Sequence, residues 1–308
     1  MRLISTRTET GETLGVVGDD RWLPARDVLP QGPATIHELL ERGDEGVQAL
    51  SRAAAQARDR FVSHGLPLAD AKLLAPVPRP GKIVAIGRNY REHVDEEQSE
   101  PPPAPLIFAK FPSAVIGDGA AIRWDPELTQ QVDWEAELAV VIGTRARNVR
   151  LEDALDHVLG FTCLTDVSAR DLQFGDGQWT RGKSLDTFCP LGPAIVTRDE
   201  IPDPQALAIR CVVDGEVVQD SSTERMFFGV AEIIRYCSAS FTLEPGDVIA
   251  TGTPGGVGVF RDPPRFLHDG SVVTVEIEGI GSLTNPCVAA AGSVEDVAAV
   301  TTTGSPGR

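Results

Sequence analysis

Five cysteines in 308 residues, at positions 163, 189, 211, 237 and 287, form an odd set with no Cys-x-x-Cys spacing. This argues against both a disulfide framework and a structural zinc, and leaves the thiols as small buried hydrophobes. Long apolar runs are missing as well, since no stretch approaches the roughly 18 residues of a membrane-crossing helix. Met1-Arg2-Leu3-Ile4-Ser5 lacks the charged-then-apolar layout of a secretion signal, so the expected address is the cytoplasm. Basic side chains are scarce, 28 against 45 acidic ones for a formal charge of -17. A chain so acidic is not expected to assemble the basic face that nucleic acid or an anionic membrane requires.

What is present points to a globular chain of one large domain and a smaller one, with 42% apolar and 24% charged residues. Residues 1–80 are nearly neutral, so almost all of the acid excess lies in 81–308, where a cation partner is sought. Residues 1–75 read as a small α+β domain, with turn-punctuated strands over Glu12 to Leu23 and a helical pattern opening at Ile36. Ala75-Pro76-Val77-Pro78-Arg79-Pro80-Gly81 cannot be helical, because its prolines remove donors and force the preceding residues extended; 76–81 is a linker. Beyond it the chain is mostly short β-runs: Lys82–Ile86, Leu138–Ile142, Leu159–Leu164, Ile209–Val213, Val248–Thr251 and Val272–Ile277. Helical patterns are few, Leu151–Val158 and Phe228–Ser238, and without regular βαβ alternation a doubly wound sheet is not expected. The tail, 289–308, is expected to fray.

The strongest local signal is Asp133-Trp134-Glu135-Ala136-Glu137, running straight into Leu138-Ala139-Val140-Val141-Ile142. On a strand, Asp133, Glu135 and Glu137 share one face with neighbours roughly 6–7 Å apart. Three carboxylates at the mouth of a buried strand need water, protons or a cation, and a hard divalent ion is the simplest remedy. A solvated strand edge that uses its acids against aggregation competes equally on spacing alone. A second apolar run ends on Asp166, which is either a further ligand or a cap for Val167–Leu172, with the cap favoured in isolation. Arg170 nearby suits a bidentate grip on a substrate carboxylate.

His93 and Glu96 stand three residues apart in Gly87-Arg88-Asn89-Tyr90-Arg91-Glu92-His93, ahead of the proline-rich Ser99 to Pro105. On a helix they form a base and its orienting acid beneath a lid, although a chance surface pair is the commoner origin of such spacing. Lys183, in a loop, could stabilise an enolate, or be merely solvated. Thr251-Gly252-Thr253-Pro254-Gly255-Gly256-Val257-Gly258 lacks the lysine of a P-loop, and reads as a backbone wall offering amides and Thr253 to a small carboxylate.

Together GRNYREH, DWEAELAVVIG, TDVSARDLQ, QWTRGKSLDTFCPLGP, LEPGDVIATGTPGGVG and EIEGIG resemble the fumarylacetoacetate hydrolase superfamily, in its bacterial two-domain form, over about residues 81–288. The resemblance implies a mostly β, α+β catalytic domain at 82–288, a mixed β-sandwich roll, and a homodimer. It implies Mg2+, or Mn2+ or Ca2+, on Glu135, Glu137 and Asp166. It implies a catalytic set of His93, Glu96 and Lys183, and substrate contacts from Arg170, Gln173, Thr253, Lys110 and Tyr90. The implied substrate is a small oxo-carboxylate. Hydrolysis of the C–C bond of a 2,4-dioxo acid, to pyruvate and a carboxylic acid, is placed first because the His–Glu pair is complete and the lid is long. Decarboxylation or keto–enol and double-bond isomerisation of a related oxo-dicarboxylic acid is the alternative, and a noncatalytic metal-dependent binding protein the second.

Overall fold

In the computed structural model the described residues are 1–9 and 11–291; the rest of the expected tail lies outside them. The chain is an α+β fold dominated by strands. A central sheet runs, in order, through Cys189–Thr197, Val158–Thr165, Ala136–Ile142, Val248–Ala250, Ile83–Gly87 and Leu106–Lys110. A second sheet of five strands contains Glu216–Ser222, Ala208–Val213, Val272–Ile277, Gly281–Ala289 and Ile122–Trp124.

The unbroken apolar run of Ala136–Ile142 follows from this layering. Leu138, Val140 and Ile142 enter one hydrophobic cluster together with residues of the second sheet, such as Ile209 and Val275. Ala139 and Val141, on the opposite face, enter another cluster with Leu3, Leu39 and Leu50 of the N-terminal segment. A strand covered on both faces carries no polar alternation. All five cysteines are buried and unpaired within these layers.

Residues 1–75 supply the strands Arg2–Thr8, Gly11–Gly18 and Arg21–Pro24, then helices including Gly43–Gln56, and then two short strands, Leu66–Pro67 and Leu73–Leu74. Arg2–Thr8 pairs antiparallel with Cys189–Thr197, so one sheet holds strands from both sides of residues 76–81. The expected helices differ in detail. Residues Leu151–His157 are a tight 3-10 turn, and the second helix is Val230–Ser240, started by Glu232 accepting the Gly229 amide at 2.9 Å.

Candidate active site

Antiparallel register brings the acids together. Ala136 lies opposite Thr165 and Glu137 opposite Leu164, which sets Glu135 beside Asp166, and the Asp166 amide donates to the Glu135 carbonyl at 2.9 Å. Carboxylate oxygens of Glu135, Glu137 and Asp166 all lie within 4.8 Å of one another, and all three residues are buried.

Asp133 does not join them. The strand is interrupted at Trp134 and Glu135, between Val132–Asp133 and Ala136–Ile142, so the simple alternation expected from the sequence breaks there. Asp133 instead accepts Arg170 Nε at 2.8 Å and the amides of Gly258 and Val259 at 2.7 and 3.0 Å. Nor does Asp166 cap a helix: the helix begins at Arg170, and Ala169 before it makes no side-chain cap.

Three cations pack into the acidic cluster. Lys183 Nζ bonds Glu135 Oε2 at 2.7 Å and Asp166 Oδ2 at 3.0 Å. Lys110 Nζ donates to Asp166 Oδ1 at 2.6 Å and also to the Lys183 carbonyl. Arg170 Nη2 pairs with Glu135 Oε1 at 2.8 Å, and Arg170 Nη1 donates to Gln173 Oε1 at 2.9 Å. Burial alone would raise the Glu135 carboxyl, but Lys183 and Arg170 outweigh it and hold it at about 2. Burial would likewise depress the Lys183 ammonium, and Asp166 and Glu135 reverse that, so it stays charged to higher pH than a free lysine.

Glu137 is the exception. Its Oε2 accepts only the Gly252 amide, at 2.8 Å, and among the described residues it makes no ion pair. Burial, then Asp166 and Glu135, push its carboxyl well above the ordinary range. Excess negative charge on hard oxygen donors is what a divalent cation relieves, so the donor set fits one.

The structure brings His93 and Glu96 together. His93 Nδ1 lies 2.7 Å from Glu96 Oε1, and Glu96 Oε2 accepts the Gly256 amide at 2.7 Å. Both residues sit on the helix Arg91–Glu96, which packs on the glycine loop so closely that a Cβ at Gly255 would come within 3.1 Å of Glu92 backbone. A cleft is lined by His93, Glu135, Glu137, Arg170, Gln173, Lys183 and Thr253, with Arg88, Glu97, Trp179 and Phe260 around it.

Several expected substrate contacts are otherwise engaged. Arg170 reaches the cleft, with its nitrogens on Asp133, Glu135 and Gln173. Lys110 is buried on Asp166 and does not line the cleft, and neither does Tyr90, whose buried hydroxyl has no partner among the described residues. The loop amides expected to bind a ligand are spent on protein carboxylates: Gly252 on Glu137, Gly256 on Glu96, Gly258 on Asp133. Thr253 does line the cleft.

Gln219 is a further residue of the site, one that no sequence motif marks. From the second sheet, its Oε1 accepts the Ala136 amide at 2.9 Å, while Nε2 donates to Thr253 Oγ1 and the Pro254 carbonyl, both at 2.8 Å. It thus ties the residue between the two glutamates to the glycine loop. Only its burial, at 1% exposed, marks it, and a lone Gln on an alternating strand carries no such signal.

These features are those of a buried carboxylate site beside a His–Glu pair. The sequence matches the family described as Fumarylacetoacetate (FAA) hydrolase C-terminal over residues 82–288, and the chain belongs to that family. It is 48% identical over 261 residues, 84% of this chain and 80% of the other, to the mitochondrial oxaloacetate tautomerase fahd2 of Xenopus laevis. It is 42% identical over 259 residues, 82% of this chain and 86% of the other, to the oxaloacetate tautomerase YisK of Bacillus subtilis. Among solved structures, a fumarylacetoacetate hydrolase from Exiguobacterium antarcticum superposes with a TM-score of 0.81 at 37% identity, covering 94% of this chain and 99% of that one. A 2-hydroxyhepta-2,4-diene-1,7-dioate isomerase from Mycobacterium marinum superposes with a TM-score of 0.72 at 36% identity, covering 94% and 100%. The chain is therefore a member of an enzyme family of hydrolases and isomerases acting on small molecules. No helix among the described residues is long and apolar enough to cross a membrane.

Proposed function

We propose that the protein is a metal-dependent tautomerase of a small oxo-dicarboxylic acid, interconverting the keto and enol forms of oxaloacetate. Glu135, Glu137 and Asp166 would hold the cation, with Mg2+ the first choice and Mn2+ or Ca2+ possible replacements. When bound, such an ion supplies Lewis-acid polarisation of an oxo group.

The observation that carries the reading is His93, held through Glu96 to the Gly256 amide, opening on the same cleft as Lys183, Glu135 and Glu137. A carboxylate only accepts hydrogen bonds, so Glu96 fixes the His93 proton on Nδ1 and leaves the lone pair on Nε2. Nε2 is then the base that removes a proton from C3 of the oxo acid, and the imidazolium so formed gives the proton to the C2 oxygen. Nothing is gained or lost overall. Lys183, its ammonium fixed by Glu135 and Asp166, stabilises the negative charge that develops on that oxygen. Thr253 Oγ1 accepts from Gln219, which leaves its own hydroxyl proton for a substrate oxygen.

One finding supports tautomerisation over the hydrolysis that the long lid favours: the names of relatives at 42 to 48% identity. Hydrolysis of a 2,4-dioxo acid remains a second reading, favoured by the hydrolase among the structural neighbours. In that case Nε2 takes its proton from water instead of carbon. Lys110 and Arg170 serve in either reading as supports for Asp166 and Glu135. A homodimer and a cytoplasmic address, expected from the family and the sequence, belong to the same proposal.

The test is a panel with Mg2+: relaxation of enol to keto oxaloacetate, CO2 release from oxaloacetate, and pyruvate release from acylpyruvates. Accelerated keto–enol relaxation with little CO2 or pyruvate is expected. Pyruvate release from an acylpyruvate, with relaxation at the buffer rate, would replace this reading by the hydrolytic one.

A further inference from the structure

One cleft cation has no part in the acidic cluster. Arg88 lines the cleft with His93 and Lys183, yet its guanidinium makes a two-pronged pair with Glu97, Nε to Oε2 and Nη2 to Oε1, each at 2.6 Å. Glu97 also lines the cleft, directly after the helix that carries His93 and Glu96. The guanidinium lies over the Trp179 ring, 5.8 Å from its centroid, and the Arg88 side chain keeps 34% exposure. The backbone of Arg88 is at φ 56, a left-handed conformation that non-glycine residues adopt only where surroundings enforce it. The other two fixed cations of the cleft, Arg170 and Lys183, are committed to Glu135, Asp133 and Asp166.

We propose that Arg88 is the receptor for the distal carboxylate of a dicarboxylic oxo acid, and that Glu97 is the stand-in that occupies it between substrates. This rests on the tautomerase reading for the substrate class. A diacid held by its oxo-acid end at the acidic cluster presents its second carboxylate away from that cluster, where Arg88 is the remaining strong donor. The exchange is carboxylate for carboxylate in one planar fork, so the guanidinium is never left without an anion. Trp179 covers one face of the guanidinium, restricting the ligand to its edge. Glu97, once released, moves toward solvent with the lid, and a substrate without the second charge has nothing to displace it. Arg88 thereby sets specificity for diacids over monoacids.

The test compares binding of oxaloacetate and its 4-methyl ester, in which a methyl group replaces the distal charge, to the Mg2+-loaded protein. Wild type, Arg88→Gln, Arg88→Lys and Glu97→Gln are measured side by side, with thermal unfolding to verify folding. Wild type should prefer the diacid by about tenfold or more, Arg88→Gln should erase that preference, and Arg88→Lys should keep only part of it. Glu97→Gln, which removes the competing anion, should bind the diacid at least as tightly as wild type. If Arg88 and Glu97 only hold the lid shut, both Gln variants weaken both ligands equally, and the proposal is wrong; it is equally wrong if wild type shows no preference. A wild-type protein that prefers the diacid but leaves keto–enol relaxation unaccelerated overturns the tautomerase reading alone.

Discussion

Glu96 is held from two sides: Oε1 lies 2.7 Å from His93 Nδ1, and Oε2 accepts the Gly256 amide at 2.7 Å. The acid of the pair is thereby oriented by the same loop that bonds Glu137 through Gly252. His93→Ala should lower kcat by roughly 10²–10⁴ while Mg2+ affinity stays within about twofold, because the imidazole acts on the proton and not on the ion. Calorimetric Mg2+ titration beside initial rates checks this, and unchanged turnover would remove His93 from the mechanism.

Gly256 should tolerate no side chain. It has φ +106, and a Cβ there would sit 2.2 Å from the Val218 carbonyl oxygen. Gly256→Ala should destabilise the fold by at least about 1–3 kcal/mol and lower kcat together, since relieving the clash pulls the amide from Glu96. Chemical denaturation and initial rates report the two effects separately.

Gln219→Ala leaves the Ala136 amide without its acceptor and frees Thr253 in a buried setting. A loss of about 1–3 kcal/mol is expected from the unsatisfied groups. Activity should fall further than stability alone explains, because Thr253 faces the cleft. A variant with wild-type kcat/KM and the same melting temperature would show that this bridge is dispensable.

The thiols should be inert in the native protein. Burial pushes Cys189, Cys237 and Cys287 up to about 12, and Cys163 and Cys211 higher still, so essentially no thiolate forms near neutral pH. A thiol-reactive dye should label none of the five before unfolding and all five after; rapid native labelling of any one would contradict the packing.

The central strands and the acidic triad were legible because their signals are local: an apolar run covered on both faces, and Glu-x-Glu leading into it. Asp166 was legible only through the family resemblance, since its meeting with Glu135 depends on a hairpin register across 30 residues that spacing does not encode. Asp133 looked like a third member of one face because strict alternation was assumed, and the interruption at Trp134 and Glu135 breaks it. Arg170, Lys110 and the loop amides looked available to substrate because a sequence lists donors without their acceptors. The structure supplies those acceptors, all of them carboxylates or carbonyls of the chain itself. Gln219 reaches the site from a different sheet, and nothing in its neighbours announces that.

The most direct measurement is the anomalous scattering of Mn2+ in crystals soaked with that ion, alongside activity after chelation and Mn2+ or Mg2+ restoration. One peak per chain is expected, bonded at about 2.1–2.3 Å to oxygens of Glu135, Glu137 and Asp166, with activity lost on chelation and regained on either metal. A peak elsewhere, or full activity after chelation, would contradict a metal-dependent site at these three carboxylates.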